Sequence, residues 1–371
     1  MTQTGAWAGL WDMFPLKTGH AWLNFMLLLV PAAIVLDLMH ASPLLIFLAS
    51  ALSIAPLAGV LGESTGALAA HSGPAVGGLL NATLANATEM IIAVFALRAG
   101  HINVVQASLS GSIMGNLLLV LGLSLLVGGA RRDFQRFSRA TTSMNSTMLM
   151  IAVAALVMPA VFNLTVYGSL EHAGAREENL SLWTSGVLIL LYLANLLFVF
   201  RTHRSVFRKQ DPEQALPGAS RTRAILSLVL ATAMIAWLSE ILVDQIGPVT
   251  KALGMTELFV GVIVVALVGN AAENSTAILM ARRNKMDLAM TVATGASTQI
   301  ALFVAPVLVF LSLAMGHPMT LVFNGFEIAG VFLSVTIVAM ISADGETNWF
   351  EGAQLLAVYA IVAVAFYFVP E

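Results

Sequence analysis

Ala85-Asn86-Ala87-Thr88-Glu89 and, 184 residues further on, Gly269-Asn270-Ala271-Ala272-Glu273 each place a carboxylate inside a long apolar run. An ionisable side chain at membrane depth costs roughly 3 kcal/mol on insertion scales, so such groups usually line a polar cavity or an ion path. Two of them in matching contexts point to one site built twice.

The composition surrounding these stretches belongs to a bilayer. Hydrophobic residues make up 58% of the chain and charged residues 10%, against about 25% charged in soluble domains. Mean hydropathy is +0.89. A net charge of −3 gives no argument for a nucleic-acid partner. The absence of cysteine excludes disulfides, thiolate metal sites and thiol catalysis. The first 20 residues carry Asp12 and Lys17 but no small-residue cleavage signal, so the first apolar segment reads as a retained span.

A hydrocarbon core about 30 Å thick takes roughly 20 apolar residues per helix. That template yields eleven spans, near 21–39, 43–62, 76–97, 102–128, 143–167, 181–200, 224–246, 257–281, 287–315, 319–341 and 351–369. The expected architecture is an all-α polytopic membrane protein. It has an N-terminal segment with a leading span (1–42), a first five-helix repeat (43–200), a linker (201–223) and a second five-helix repeat (224–371). The linker assignment rests on Pro212, Glu213, Pro217 and Gly218.

Basic loops stay cytoplasmic, which orients the chain. Arg131, Arg132, Arg136 and Arg139 follow span four, six Lys or Arg residues follow span six, and Arg282, Arg283 and Lys285 follow span eight. With Lys17 these make 14 of the 17 basic residues on one side, Arg98, Arg176 and Lys251 being the exceptions. Glu171, Glu177 and Glu178 fall on the other. The N-terminus is expected inside and the C-terminus outside, in a bacterial inner membrane.

The 184-residue register continues beyond the opening motif. Asn86 matches Asn270, Glu89 matches Glu273, Arg98 matches Arg282 and Gly111 matches Gly295. An odd number of spans per repeat inverts the second relative to the first. Inverted repeats are characteristic of secondary transporters, whose ion sites lie near the midplane at the repeat interface. Glycines with Asn and Thr around Asn86, and Gly269 before Asn270, predict broken helices at both places.

Each carboxylate helix is followed by one rich in oxygen-bearing side chains. Span four offers Gln106, Ser108, Ser110, Ser112 and Asn116, and span nine offers Thr291, Thr294, Ser297, Thr298 and Gln299. Hard, all-oxygen ligation suits Ca²⁺ better than Zn²⁺ or Cu²⁺. Desolvation and mutual repulsion favour protonated carboxylates, whereas a bound dication favours ionised ones, so metal and protons compete. Glu240 and Glu327 read as supporting or vestibule groups, and Asp37 and Glu63 as solvated span ends. No paired-His motif, nucleophile elbow or other enzyme signature occurs.

These residues resemble the Ca²⁺/H⁺ exchangers (CAX type) of the Ca²⁺:cation antiporter superfamily, over roughly residues 43–369. Gly77-Gly78-Leu79-Leu80-Asn81-Ala82-Thr83, leading to Asn86-Ala87-Thr88-Glu89, looks like the family's first signature. Gly269-Asn270-Ala271-Ala272-Glu273 with Lys285-Met286-Asp287-Leu288-Ala289 looks like the second. Ser297-Thr298-Gln299-Ile300 and Asp344-Gly345-Glu346-Thr347-Asn348-Trp349-Phe350-Glu351-Gly352 are similar to its motifs in spans nine and eleven.

The resemblance implies a secondary antiporter that alternates access to a midplane site, with Ca²⁺ and H⁺ as substrates, the bilayer as partner and no cofactor. It assigns Glu89 and Glu273 to shared cation and proton binding, with Asn86, Asn270, Ser112, Gln299 and Asn116 as supporting metal ligands. Three departures stand out: Asn274 where the family usually has His, Ala296 where it has Ser, and Gly66 where it has the Glu of a Thr-Glu pair. They leave Na⁺, K⁺ or another divalent ion as alternative cargo, and a cation channel as an alternative mode.

Overall fold

In lipid a backbone must satisfy its own hydrogen bonds, and for uninterrupted apolar runs the helix does so within each segment. The computed structural model describes residues 26–72, 74–170, 174–202 and 220–369, which are almost wholly helical. Most of the expected linker (203–219), Lys17 and Glu171 lie outside the described residues.

Eleven rods follow one another among the described residues. They are Leu29–Leu38; Pro43–His71; Pro74–Leu84 with Ala87–Arg98; Ile102–Gly129; Arg139–Tyr167; Ala175–Leu197; Arg221–Asp244; Glu257–Gly269 with Ala271–Arg282; Met286–Ala314; Gly325–Ile341; and Trp349–Phe368. These are spans one to eleven below. Seven are continuous helices long and apolar enough to cross a membrane. Spans three and eight are broken, and spans one and ten are short.

Several expected boundaries move. Span two runs past 62 to His71, which leaves Glu63 two turns inside the rod with one buried carboxylate oxygen, not at a solvated end. Span ten starts at Gly325, not 319. The preceding loop is fixed by Met319 N–H donating to Ser312 Oγ and Leu321 N–H donating to Ser181 Oγ, and Asn324 caps the helix. A short helix, Ile246–Leu253, had no counterpart in the hydropathy pattern; it ends at Gly254 (φ +62°) and meets span eight at 116°.

Packing follows the inverted pairing. The second half of span four lies on span eleven as the second half of span nine lies on span six. The first half of span four lies on span ten as the first half of span nine lies on span five. Spans two and seven, each the other's counterpart, pack together along their length. The symmetry extends to local backbone: π-helical turns occur at Gly115–Val120 in span four and Ile300–Val304 in span nine.

One crossing breaks the symmetry. The first half of span eight lies so close on span four that a Cβ on Gly111 would sit 2.2 Å from the Val262 carbonyl oxygen, and one on Gly261 2.6 Å from the Ala107 Cβ. The counterparts in register are Gly295 and Gly77. A Cβ on Gly295 would meet nothing within 4 Å, and Gly77 packs instead against Ala69 of span two, its own repeat. The first half of span three thus leans away from span nine.

Loops gather on two faces. On one, Gln135-Arg136 pairs antiparallel with Glu346-Thr347, Arg136 bridges Glu346 at 2.9 Å, and Gln135 donates to Ala281 O and Asn284 Oδ1. Arg131, Arg132, Arg282 and Arg283 belong to this basic face. On the other, acidic face, His101 Nδ1 lies 3.1 Å from Glu257 Oε1, and Gln106 donates to the carbonyls of Thr320 and Val322.

Gly111→Ala is expected to lower the melting temperature of the detergent-solubilised protein, because overpacking a backbone contact costs about 1–3 kcal/mol. Gly295→Ala is expected to leave it unchanged. Fluorescence-detected gel filtration after heating reads both.

Candidate functional site

The two breaks have the same geometry. Asn86 (φ −95°, ψ 23°) separates the halves of span three, and Asn270 (φ −93°, ψ 3°) those of span eight. Both lie in the sparsely populated bridge region. Each is followed by a new helix with its glutamate in the first turn. The positive end of that helix dipole faces the carboxylate and stabilises negative charge there.

Each asparagine reaches into the opposite repeat. Asn86 Nδ2 donates to Gln299 Oε1 of span nine at 2.7 Å. Asn270 Nδ2 donates to Ser112 Oγ of span four at 2.8 Å and to its own Ala266 O at 2.9 Å. Asn116 Nδ2 donates to Asn270 Oδ1 at 3.3 Å. Glu89 crosses as well: a Cβ on Gly269 would sit 2.8 Å from Glu89 Cγ, so glycine there makes room for the carboxylate of the other half.

What remains is a set of acceptors without donors. Asn86 Oδ1, Glu89 Oε1, Glu273 Oε2 and Asn274 Oδ1 are buried and have no hydrogen-bond partner. A buried unsatisfied polar atom costs about 1–3 kcal/mol. These four oxygens, on residues at or within one turn of the two helix breaks, are groups that a cation or a proton relieves. Among the described residues no three of His, Cys, Asp and Glu cluster as a metal-holding group. A cation here would therefore be held by two carboxylates and neutral oxygens, a donor set that fits a hard ion.

Of the ten polar side chains expected on spans four and nine, the structure brings Ser112, Asn116 and Gln299 to the two breaks. Ser108, Thr291, Thr294, Ser297 and Thr298 bond the carbonyls of their own helices. Gln106 fixes the loop before span ten, and Ser110 faces Glu327. Glu240 is exposed on span seven.

Asn274 is an addition to the expected ligand set. It lines a small cavity with Ser112, Asn116, Asn270 and Tyr359 of span eleven. Its spacing of four from Asn270 placed it on the same helical face. Tyr359 carried no such signal, because its arrival depends on how span eleven packs.

Gly269→Ala is expected to leave the protein folded but to push Glu89 out of position. Divalent-cation binding, followed by isothermal calorimetry on purified protein, should weaken strongly, whereas Ser297→Ala should bind like the parent.

The sodium/calcium exchanger protein family matches residues 42–201 and 223–368. The Ca(2+)/H(+) antiporter ChaA of Bacillus subtilis (strain 168) is 44% identical over 343 residues, 91% of this chain and 96% of the relative. The Ca(2+)/H(+) antiporter of Aphanothece halophytica is 41% identical over 360 residues, 93% of this chain and 96% of the relative. Among solved structures, native YfkE superposes with a TM-score of 0.81 at 40% identity, covering 94% of this chain and 100% of that one. The H+/Ca2+ exchanger CAX, at 14% identity, shares the fold with a TM-score of 0.70, over 93% of this chain and 91% of that one.

Proposed function

The chain belongs to the sodium/calcium exchanger protein family, and on that premise we propose that it exchanges Ca²⁺ for H⁺ across a membrane as a secondary antiporter. The observation that carries the proposal is the set of four unpartnered buried oxygens, two of them on carboxylates, at the junction of two inverted halves. Glu89 and Glu273 bind the cation when ionised and protons when it leaves. Asn86, Asn270, Ser112, Asn116 and Gln299 support the site, with Asn274 contributing its amide oxygen.

The exchange follows from charge. One dication neutralises two carboxylates, and so do two protons. Either load leaves the centre electrically quiet, whereas the empty, doubly ionised site is costly at membrane depth. Movement between faces is therefore favoured when the site is loaded with one substrate or the other. Two carboxylates in a shared site thus couple the fluxes without any covalent step.

The halves 43–200 and 224–371 act as the two repeats, and positive-inside bias puts the basic face in the cytoplasm, with the C-terminus outside. On this reading the tight crossing of span eight on span four through Gly111 and Gly261 closes the acidic face, and the open counterpart at Gly295 leaves access from the basic face. The opposite state would bring the first half of span three onto span nine.

Everted vesicles carrying the protein should take up Ca²⁺ when a proton gradient is imposed, and an uncoupler or Glu273→Gln should abolish uptake. Uptake that survives either treatment would sink the mechanism. Because protons compete for the same oxygens, apparent Ca²⁺ affinity should fall as pH falls. Parallel assays with Na⁺, K⁺, Mn²⁺ and Mg²⁺ fix the cargo.

The chain has no cysteine, so single-cysteine variants report access cleanly. Thr291→Cys should react with an impermeant thiol reagent supplied at the basic face. Its counterpart in register, Ala107→Cys, is fully buried and should resist reagent from the acidic face.

A further inference from the structure

Glu327 is a third carboxylate deep in the helical bundle, outside the central site. It is 3% exposed and lies one turn from the acidic-face end of span ten. Its Oε2 accepts the Asn324 backbone N–H at 2.9 Å, closing a capping box in which Asn324 Oδ1 accepts the Glu327 N–H. Its Oε1 accepts from Ser110 Oγ of span four at 2.8 Å. Beside it lies a small cavity lined mostly by apolar residues that include Ile113 and Ile300, the neighbours of Ser112 and Gln299. The carboxylate therefore sits behind the two helices whose front faces hold the site.

Capping does not explain a carboxylate here. The cap position takes Gln as well as Glu. Span eleven has the same box, with Asn348 and Glu351, and there the glutamate is only half-buried. A buried carboxylate at this depth without a cation is a functional group by default.

No cation faces it. Span four brings no ionisable side chain. Span five has only Arg139 and Tyr167, at its ends, and span nine only Asp287, at the basic face. His317 lies in the preceding loop. Span six offers Arg176, Glu177 and Glu178 at its acidic-face end and Tyr192 further along, and span eleven offers Glu351, Tyr359 and Tyr367. None of these lines the cavity.

We propose that Glu327 and Ser110 form a second intramembrane proton-binding site, separate from the Glu89–Glu273 pair. The Ser110 hydroxyl has one hydrogen and two acceptors in range, Glu327 Oε1 at 2.8 Å and Ala107 O at 3.0 Å. With Glu327 ionised, the hydroxyl donates to the carboxylate. When a proton from the acidic-face water binds Oε1, the carboxyl donates to Ser110 Oγ and the hydroxyl turns to Ala107 O. Both protonation states keep every hydrogen bonded, and the contact between spans four and ten changes polarity without breaking. Ser110 and Ser112 project from opposite sides of span four, so the switch bears on the helix that carries a site ligand.

The test is infrared difference spectroscopy of the protein in lipid between alkaline and acidic buffer. A protonated-carboxyl C=O band should be present in the parent and missing in Glu327→Gln. It should shift in frequency in Ser110→Ala and persist when Ca²⁺ removes the bands of Glu89 and Glu273. Glu327→Gln keeps the capping box, so it should fold and bind Ca²⁺ normally while the pH profile of exchange flattens. Difference spectra unchanged by Glu327→Gln would overturn the proposal, as would a pH profile identical to the parent's. Any role in coupling rests on the exchanger reading. If the parent shows no proton-driven Ca²⁺ uptake, that reading fails, while the band still decides whether Glu327 binds a proton.

Discussion

Two carboxylates follow matching helix breaks in the two halves of a helical bundle, and the local features at those breaks accommodate them. The helices break at Asn86 and Asn270, which turns two helix N-termini toward the glutamates. Glycine stands at 269 because Glu89 passes 2.8 Å from where a Cβ would be. The amides of Asn86 and Asn270 each donate an N–H to the opposite repeat, and the Asn86 carbonyl oxygen is left buried without a donor. Negative charge at this depth is tolerable only when a cation or protons offset it. That requirement ties occupancy of the site to stability of the centre.

The inverted repeats divide the labour between sameness and difference. Sameness shows in the two halves each having one break, one asparagine and one glutamate. Difference gives direction. The first half of span eight is locked onto span four by two glycines, whereas the first half of span three leans on its own repeat. Packed interfaces of this kind are bistable and do not deform continuously. An exchange of packing between equivalent crossings is then a natural way to move a barrier from one face to the other.

Much of this was legible in the chain. The 184-residue register, the broken segments and the two glutamates follow from residue identity, because a carboxylate and a glycine-rich kink are rare in apolar helices. Ser112, Asn116 and Gln299 stood among ten polar residues on two spans, and only the family resemblance, not their chemistry or spacing, separated them from Ser108 or Thr294. A serine or threonine in an apolar helix bonds its own i−3 or i−4 carbonyl as readily as a neighbour. The extension of span two, the late start of span ten and the short helix at Ile246–Leu253 were hidden from hydropathy, since loop anchoring and capping set those limits.

The sequence alone determined the membrane class, the inverted duplication, the two charged faces and the paired carboxylates, because these depend on composition, spacing and loop charge. Only the tertiary structure decided which polar groups meet, which helices touch through glycine and that Glu327 finds Ser110. Those outcomes depend on the rotational phase and close approach of helices that are neighbours in space but far apart in the chain. A single helix has no means of encoding that phase by itself; it is set when eleven rods pack and the glycines let two of them touch.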